Sequence, residues 1–205
     1  MELNLNQSIQ LATKAHEDQW RKPTIINYSQ LEKLIGGSSA YDLQAECFVD
    51  NVYKYNNKLI TKLNDAEYYY SKPYITHSLE VMNMLSTEEE QIVAVLHDVF
   101  EKCSGWCLGR VMDDSKFYIK DRSENIEYIT TANVYWALTL ISKDKHVKYN
   151  DYIYNMIHNI KLDGTPNKLA IKVKIADILS NLSDHPSEYA KQKYAKALPI
   201  LLQGI

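Results

Sequence analysis

Apolar residues along this chain recur mostly at the three-to-four-residue spacing of an α-helix. Ile9, Ala12, Ala15, His16 and Gln19 share one face, with Asn6 placed to cap it. Ser29-x-x-Glu32 reads as a capping box that opens a short helix closed by Gly36-Gly37. Phe48, Val52, Tyr55, Leu59 and Leu63 step by four, three, four and four, which predicts a further amphipathic helix. Pro73 suits the first turn of the next helix, which carries His77. Thr87-x-x-Glu90 is a second capping box, and the helix it opens carries His97, Asp98 and Glu101. Gly105 and Gly109 mark a loop, and the polar stretch from Gly109 to Asn125 predicts an irregular connection. Thr131 to Ser142 is apolar enough to be helical, and Tyr152, Ile153, Met156, Ile157 and Ile160 form another stripe. Gly164-Thr165-Pro166 breaks that stripe and starts a helix running through Asp177 and Asn181; a last helix runs from near Pro186 to around Pro199. No run alternates cleanly, so strand signals are weak. The pattern predicts an all-α fold, a single-domain helical bundle over residues 1–205 with an inserted helical segment at 23–67.

Composition narrows the class. The 205 residues suffice for one domain with a substantial core. A formal charge of -3 and a pI near 6.1 argue against a dedicated nucleic-acid binder. Cys47, Cys103 and Cys107 make an odd count, which suits reduced thiols better than a disulfide framework. The Cys103-x3-Cys107 pair has no second pair to complete a zinc site. Met1–Leu5 lacks the basic start and apolar run of a signal peptide, and no stretch approaches a membrane span. The expectation is a cytoplasmic protein with no nucleic-acid or membrane partner.

The candidate chemistry centres on His97-Asp98, set in the apolar string Val95-Leu96-His97-Asp98-Val99-Phe100. Burying an imidazole beside a carboxylate is costly unless something neutralises them. A divalent metal does so, and in turn makes a nucleophile of water. His77 upstream and Asp177 downstream complete a ligand set of two nitrogens and two carboxylates drawn from three predicted helices, as a site in a bundle core requires. Such donors suit manganese, iron, zinc or magnesium without soft sulfur. Glu101 lies four residues after His97 on the same face, placed as acid or base for a water on the ion. Asn181 bears the same relation to Asp177. Lys143, Asp144, Lys145, His146 and Lys148 read as a solvated helix end, His158 and His185 as surface residues, and His16 as a hydrogen-bonded residue behind the site.

Four segments resemble one family. They are Ala15-His16-Glu17-Asp18-Gln19-Trp20-Arg21-Lys22, Pro73-Tyr74-Ile75-Thr76-His77, Val95-Leu96-His97-Asp98-Val99-Phe100-Glu101-Lys102, and Val173-Lys174-Ile175-Ala176-Asp177-Ile178-Leu179-Ser180-Asn181-Leu182. In this order the chain resembles the HD-domain metal-dependent phosphohydrolases, and within them the RelA/SpoT-type and small alarmone hydrolases. The likeness covers roughly residues 8–22 and 68–185. It implies one ion, manganese foremost, held by His77, His97, Asp98 and Asp177. It implies hydrolysis of the 3′-pyrophosphate of guanosine tetra- or pentaphosphate. Glu101 then matches the catalytic acid, Arg21 and Lys22 match positions around the guanine, and Asn181 matches a nucleotide-contacting asparagine.

Two departures qualify that implication. The family's Glu-Asp reads Glu101-Lys102, which reverses a charge beside an anionic substrate where the family's aspartate assists catalysis. Lys102 either grips a phosphate, redirects the site to another nucleotide (a deoxynucleotide, a dinucleotide signal or NADPH), or leaves a silent nucleotide-binding protein. The second departure is the 45 residues from Pro23 to Glu67, where the family has a short loop. This insertion offers a cap for the pocket or a surface for homo-oligomer contact.

Overall fold

The computed structural model describes residues 3–21, 24–27, 47–49, 52–55, 58–62, 67–110, 117–122, 126–184 and 186–205. The chain divides into two units, one formed by Met1–Glu17 and His77–Ile205, the other by Asp18–Thr76.

The first unit is a helical bundle, as the periodicity predicts. Its helices are α1 (Leu5–Ala15), α2 (Tyr74–Asn83, which enters the unit at His77), α3 (Glu88–Leu96), the single turn α4 (Val99–Lys102), α5 (Ala132–Ile141), α6 (Tyr149–His158), α7 (Thr165–Ser183) and α8 (Glu188–Leu201). Local chemistry sets most of the ends. Thr87 and Glu90 form the expected capping box on α3, and Thr131 caps α5 by accepting from the Val134 amide. The cap of α1 is Asn4 rather than Asn6: its side chain accepts from the Gln7 amide while Gln7 reaches back, satisfying two otherwise orphaned donors at once. Gly164 precedes α7 at φ 90, a left-handed conformation that favours glycine, and Pro166 follows in the first turn.

The core lies around α3 and α7. Ile92 to Leu96 of α3 are all buried, so the second half of this helix is apolar on every side and central. It packs against α1, α5 and α7. From α7, Ile171, Val173 and Ile178 are buried, and α5 adds Ala137 and Leu138. Among the described residues, no helix is long and apolar enough to cross a membrane.

Two expectations need correction here. The helix opened at Thr87 does not carry His97, Asp98 and Glu101: it ends at Leu96, His97 is its C-cap, and Asp98 starts α4. The stretch from Gly109 to Asn125 is not irregular in its described part. Trp106–Arg110 (β6), Phe117–Asp121 (β7) and Ile126–Thr130 (β8) form an antiparallel meander with Leu108 opposite Ile119 and Ile119 opposite Tyr128. Gly109 faces Tyr118 across the pair, and a Cβ there would collide with that tyrosine's ring. Phe117 and Ile119 are buried, which gives the meander one apolar face.

The second unit corrects the insertion. Thr24–Asn27 (β1), Cys47–Val49 (β2), Val52–Tyr55 (β3), Lys58–Lys62 (β4) and Glu67–Ser71 (β5) form an antiparallel sheet of order β1-β5-β4-β3-β2. The described part of the stripe, Phe48, Val52, Tyr55 and Leu59, is therefore strand, not helix, and Leu63 lies outside the described residues. The stripe's four-three-four-four spacing coincides with runs of β-branched and aromatic residues such as Val52, Tyr53, Tyr55, Ile60 and Thr61, which lose side-chain freedom in a helix and suit a pleated surface. Tyr55 pairs with Lys58, so only Asn56-Asn57 separates the strands, and asparagine is a turn residue. Ser29, Glu32, Gly36 and Gly37 lie outside the described residues.

Candidate metal centre

Three helices of the first unit bring three of the four predicted ligands to one place. His77 from α2, His97 at the end of α3 and Asp177 from α7 are all buried and hold their donor atoms within 4.8 Å of one another. His77 Nε2 lies 3.0 Å from Asp177 Oδ1, and His97 Nε2 lies 3.7 Å from the same oxygen. Asp98 joins them, its Oδ2 3.4 Å from His97 Nε2. His97 and Asp98 both keep right-handed helical backbone angles where α3 meets α4, so their side chains leave the axis in different directions and meet at a point between them. In a continuous helix, neighbours diverge by about 100°.

The hydrogen-bond network assigns the imidazole tautomers. His97 Nδ1 lies 2.6 Å from the Ala94 carbonyl, which only accepts, so Nδ1 carries the hydrogen. Ser180 donates to Glu80 Oε2 at 3.2 Å, which leaves its oxygen to accept from His77 Nδ1 at 3.0 Å. Both rings therefore turn Nε2, the lone-pair nitrogen of the neutral form, onto carboxylate oxygens. His97 Nε2 is buried and has no hydrogen-bond partner. Lone pairs facing anions repel, so this arrangement needs an electrophile between them: a proton or a metal ion. Fixing Nδ1 on a backbone carbonyl or a hydroxyl is how proteins orient a ligating histidine. The two-nitrogen, carboxylate-oxygen donor set fits a divalent ion.

Each carboxylate is braced on its other oxygen. Lys174 Nζ donates to Asp177 Oδ2 at 2.6 Å and sits 5.6 Å from the centre of the Tyr152 ring. Lys102 Nζ donates to Asp98 Oδ1 at 2.8 Å. The Asn181 amide donates to Asp177 Oδ1 at 2.6 Å and to the Asp177 carbonyl at 2.8 Å. Asn181 thus faces the site, as its spacing predicts, and grips the aspartate. Glu101, half-buried on α4, accepts from the Lys143 amide at 3.4 Å. Arg21 lies in the second unit with its guanidinium 5.5 Å from the Tyr74 ring centre, and Lys22 is outside the described residues.

The electrostatics follow the contacts. Burial raises the Asp177 carboxyl, but Lys174 and the two histidines overcome this and hold it well below the usual range. Asp98 is also depressed, burial being outweighed by His97 and Lys102. Burial lowers His97, yet Asp98, Asp177 and the Ala94 carbonyl together raise it above the ordinary value. Lys174 is raised well above its ordinary value, the neighbouring Asp177 outweighing burial.

The raised His97 pKa has a measurable consequence. A group with a raised folded pKa contributes stability that is fully present below its unfolded value of about 6.5 and is lost as pH rises through the folded value. Chelator-treated protein should therefore lose thermal stability as pH is raised from about 6 to about 8.5. A divalent ion competes with that proton for Nε2, so the stability added by saturating manganese should grow over the same interval. Melting temperatures with and without manganese across the series check both signs; parallel curves would contradict the shared site.

Lys174, Ser180 and Glu80 were not singled out from the sequence as site residues. All stand three positions along a helix from a predicted ligand (Asp177 for the first two, His77 for the third), and that spacing was the available signal.

No family model and no curated protein matches this chain. Among solved structures it is similar to one described as a metazoan orthologue of SpoT that hydrolyses ppGpp and plays a role in starvation responses. The identity is 17%, the match covers 96% of this chain and 84% of that one, and the TM-score is 0.49.

Proposed function

We propose that this protein is a metal-dependent phosphohydrolase of the HD type, a small alarmone hydrolase that removes the 3′-pyrophosphate of guanosine tetra- or pentaphosphate. One observation carries the hydrolase reading. Two buried imidazoles have Nδ1 committed elsewhere and Nε2 turned onto the carboxylates of Asp98 and Asp177. His77, His97, Asp98 and Asp177 would hold the ion, with manganese as the proposed metal. When bound, the ion polarises a phosphoryl oxygen and makes water a usable nucleophile near neutral pH. Glu101 exchanges the proton with that water or with the leaving group. Asn181 and Lys174 keep the Asp177 carboxylate in position. Arg21 and Lys22 bind the nucleotide, and the strand-rich segment 23–67 provides a homo-oligomer contact. The order of the four sequence segments supports the guanosine substrate, and the protein acts in the cytoplasm.

Lys102 favours a second reading, in which the same centre acts on another nucleotide, because it places an ammonium on Asp98. Purified protein with manganese should release pyrophosphate from guanosine tetraphosphate, and chelator should stop it. Orthophosphate or pyrophosphate from a deoxynucleotide, a dinucleotide or NADPH instead would move the assignment to the second reading. No hydrolysis across the panel would leave a silent nucleotide-binding protein.

A further inference from the structure

The lysines at the centre do more than brace it. Among the described residues, each carboxylate of the donor set is joined by an ammonium, Asp98 by Lys102 at 2.8 Å and Asp177 by Lys174 at 2.6 Å. The imidazoles are neutral when they ligate. Further out, Lys193 and Glu101 bring one charge of each sign within electrostatic range of the same groups. A centre built only from two carboxylates and two imidazoles carries about two negative charges and becomes neutral on taking a divalent ion.

We infer that Lys102 and Lys174 set the charge of this centre, each adding one positive charge to a set whose two carboxylates alone offset a divalent ion, so that the loaded centre captures a dianionic phosphoryl group. This rests on the metal centre proposed above and adds to it a charge rule specific to this chain. Two consequences follow from the signs alone. The lysines weaken cation binding, because they repel the ion. They strengthen anion binding to the loaded centre, because their charge is not spent on the ion. Lys102 therefore trades metal affinity for grip on phosphate. It lies at the accessible side, its side chain 37% exposed, whereas that of Lys174 is 14% exposed.

Lys102→Met is the test, since a half-exposed position tolerates a stem of similar shape. Manganese affinity is read from the electron paramagnetic resonance of free manganese. Phosphate affinity is read from broadening of the 31P resonance of inorganic phosphate near pH 8 by protein-bound manganese. Removing one positive charge near the ion should tighten manganese roughly tenfold and weaken phosphate roughly tenfold. Lys102→Arg should keep both wild-type values. Affinities that fall together, or that both stay unchanged, would overturn the charge rule while leaving the metal centre in place. A wild-type protein that binds no manganese would overturn the metal centre itself.

Discussion

His97→Ala is expected to abolish stoichiometric divalent-metal binding and to lower phosphohydrolysis at least ~1,000-fold. The argument is geometric. His97 Nε2 lies 3.4 Å from Asp98 Oδ2 and 3.7 Å from Asp177 Oδ1, so it links the two carboxylates of the set. Its removal leaves those carboxylates held by Lys102 and Lys174, which repel a cation rather than bind one. His97 is buried and its ring centre lies 5.4 Å from that of His77, so the far-UV circular dichroism of the variant is recorded beside its metal content to separate loss of ligand from loss of fold. Ser180→Ala provides the graded comparison. It removes only the hydroxyl that orients His77, and metal affinity should fall roughly 10- to 100-fold. Metal content per chain and turnover, measured together on both variants, decide the matter. Full metal occupancy with unchanged turnover in His97→Ala would refute the centre.

Leu138→Ala should cost about 2–5 kcal/mol of stability without touching the chemistry. Leu138 is fully buried in α5, and α5 packs closely against α7, the helix that presents Asp177. Truncation removes several methyl and methylene groups from a close-packed region and leaves a cavity that rigid helices cannot collapse. For a chain of this length the melting temperature should fall by roughly 2–4 °C for each kcal/mol. Manganese affinity of the folded variant at 25 °C should stay near wild type, because the ligands are held to one another and to Lys174 by polar contacts that Leu138 does not supply. A loss below about 1 kcal/mol would mean that the α5–α7 contact is not a main support of the unit.

Where sequence and structure agree, short-range chemistry is responsible. The Thr87–Glu90 box, the Thr131 cap and the Gly164-Thr165-Pro166 start depend on neighbours within four residues. The pattern of buried positions in α5, α6 and α7 likewise follows the helical period. The failures share a cause. Phe48 to Leu63 satisfies a helical spacing by coincidence, while its residue types and the Asn56-Asn57 pair favour a hairpin settled by cross-strand pairing. Gly109 to Asn125 reads as an irregular connection because a strand exposed on one face needs few apolar residues.

The candidate site divides along the same line. Residue types and order alone single out His77, His97, Asp98 and Asp177 as a candidate donor set, and helical spacing places Asn181 beside Asp177, because side chains that repeat along a helix share a face whatever it packs against. Tertiary packing supplies the rest. Tertiary structure brings His77 and Asp177 to the end of α3, where His97 and Asp98 stand. The approach of α2 to α7 gives His77 its tautomer through Ser180 and Glu80, 100 or more residues apart in sequence. The same packing buries Lys174 against Tyr152 and fixes its charge on Asp177. Charge balance in a buried centre is a sum over everything that touches it, and those contacts exist only once distant helices have met.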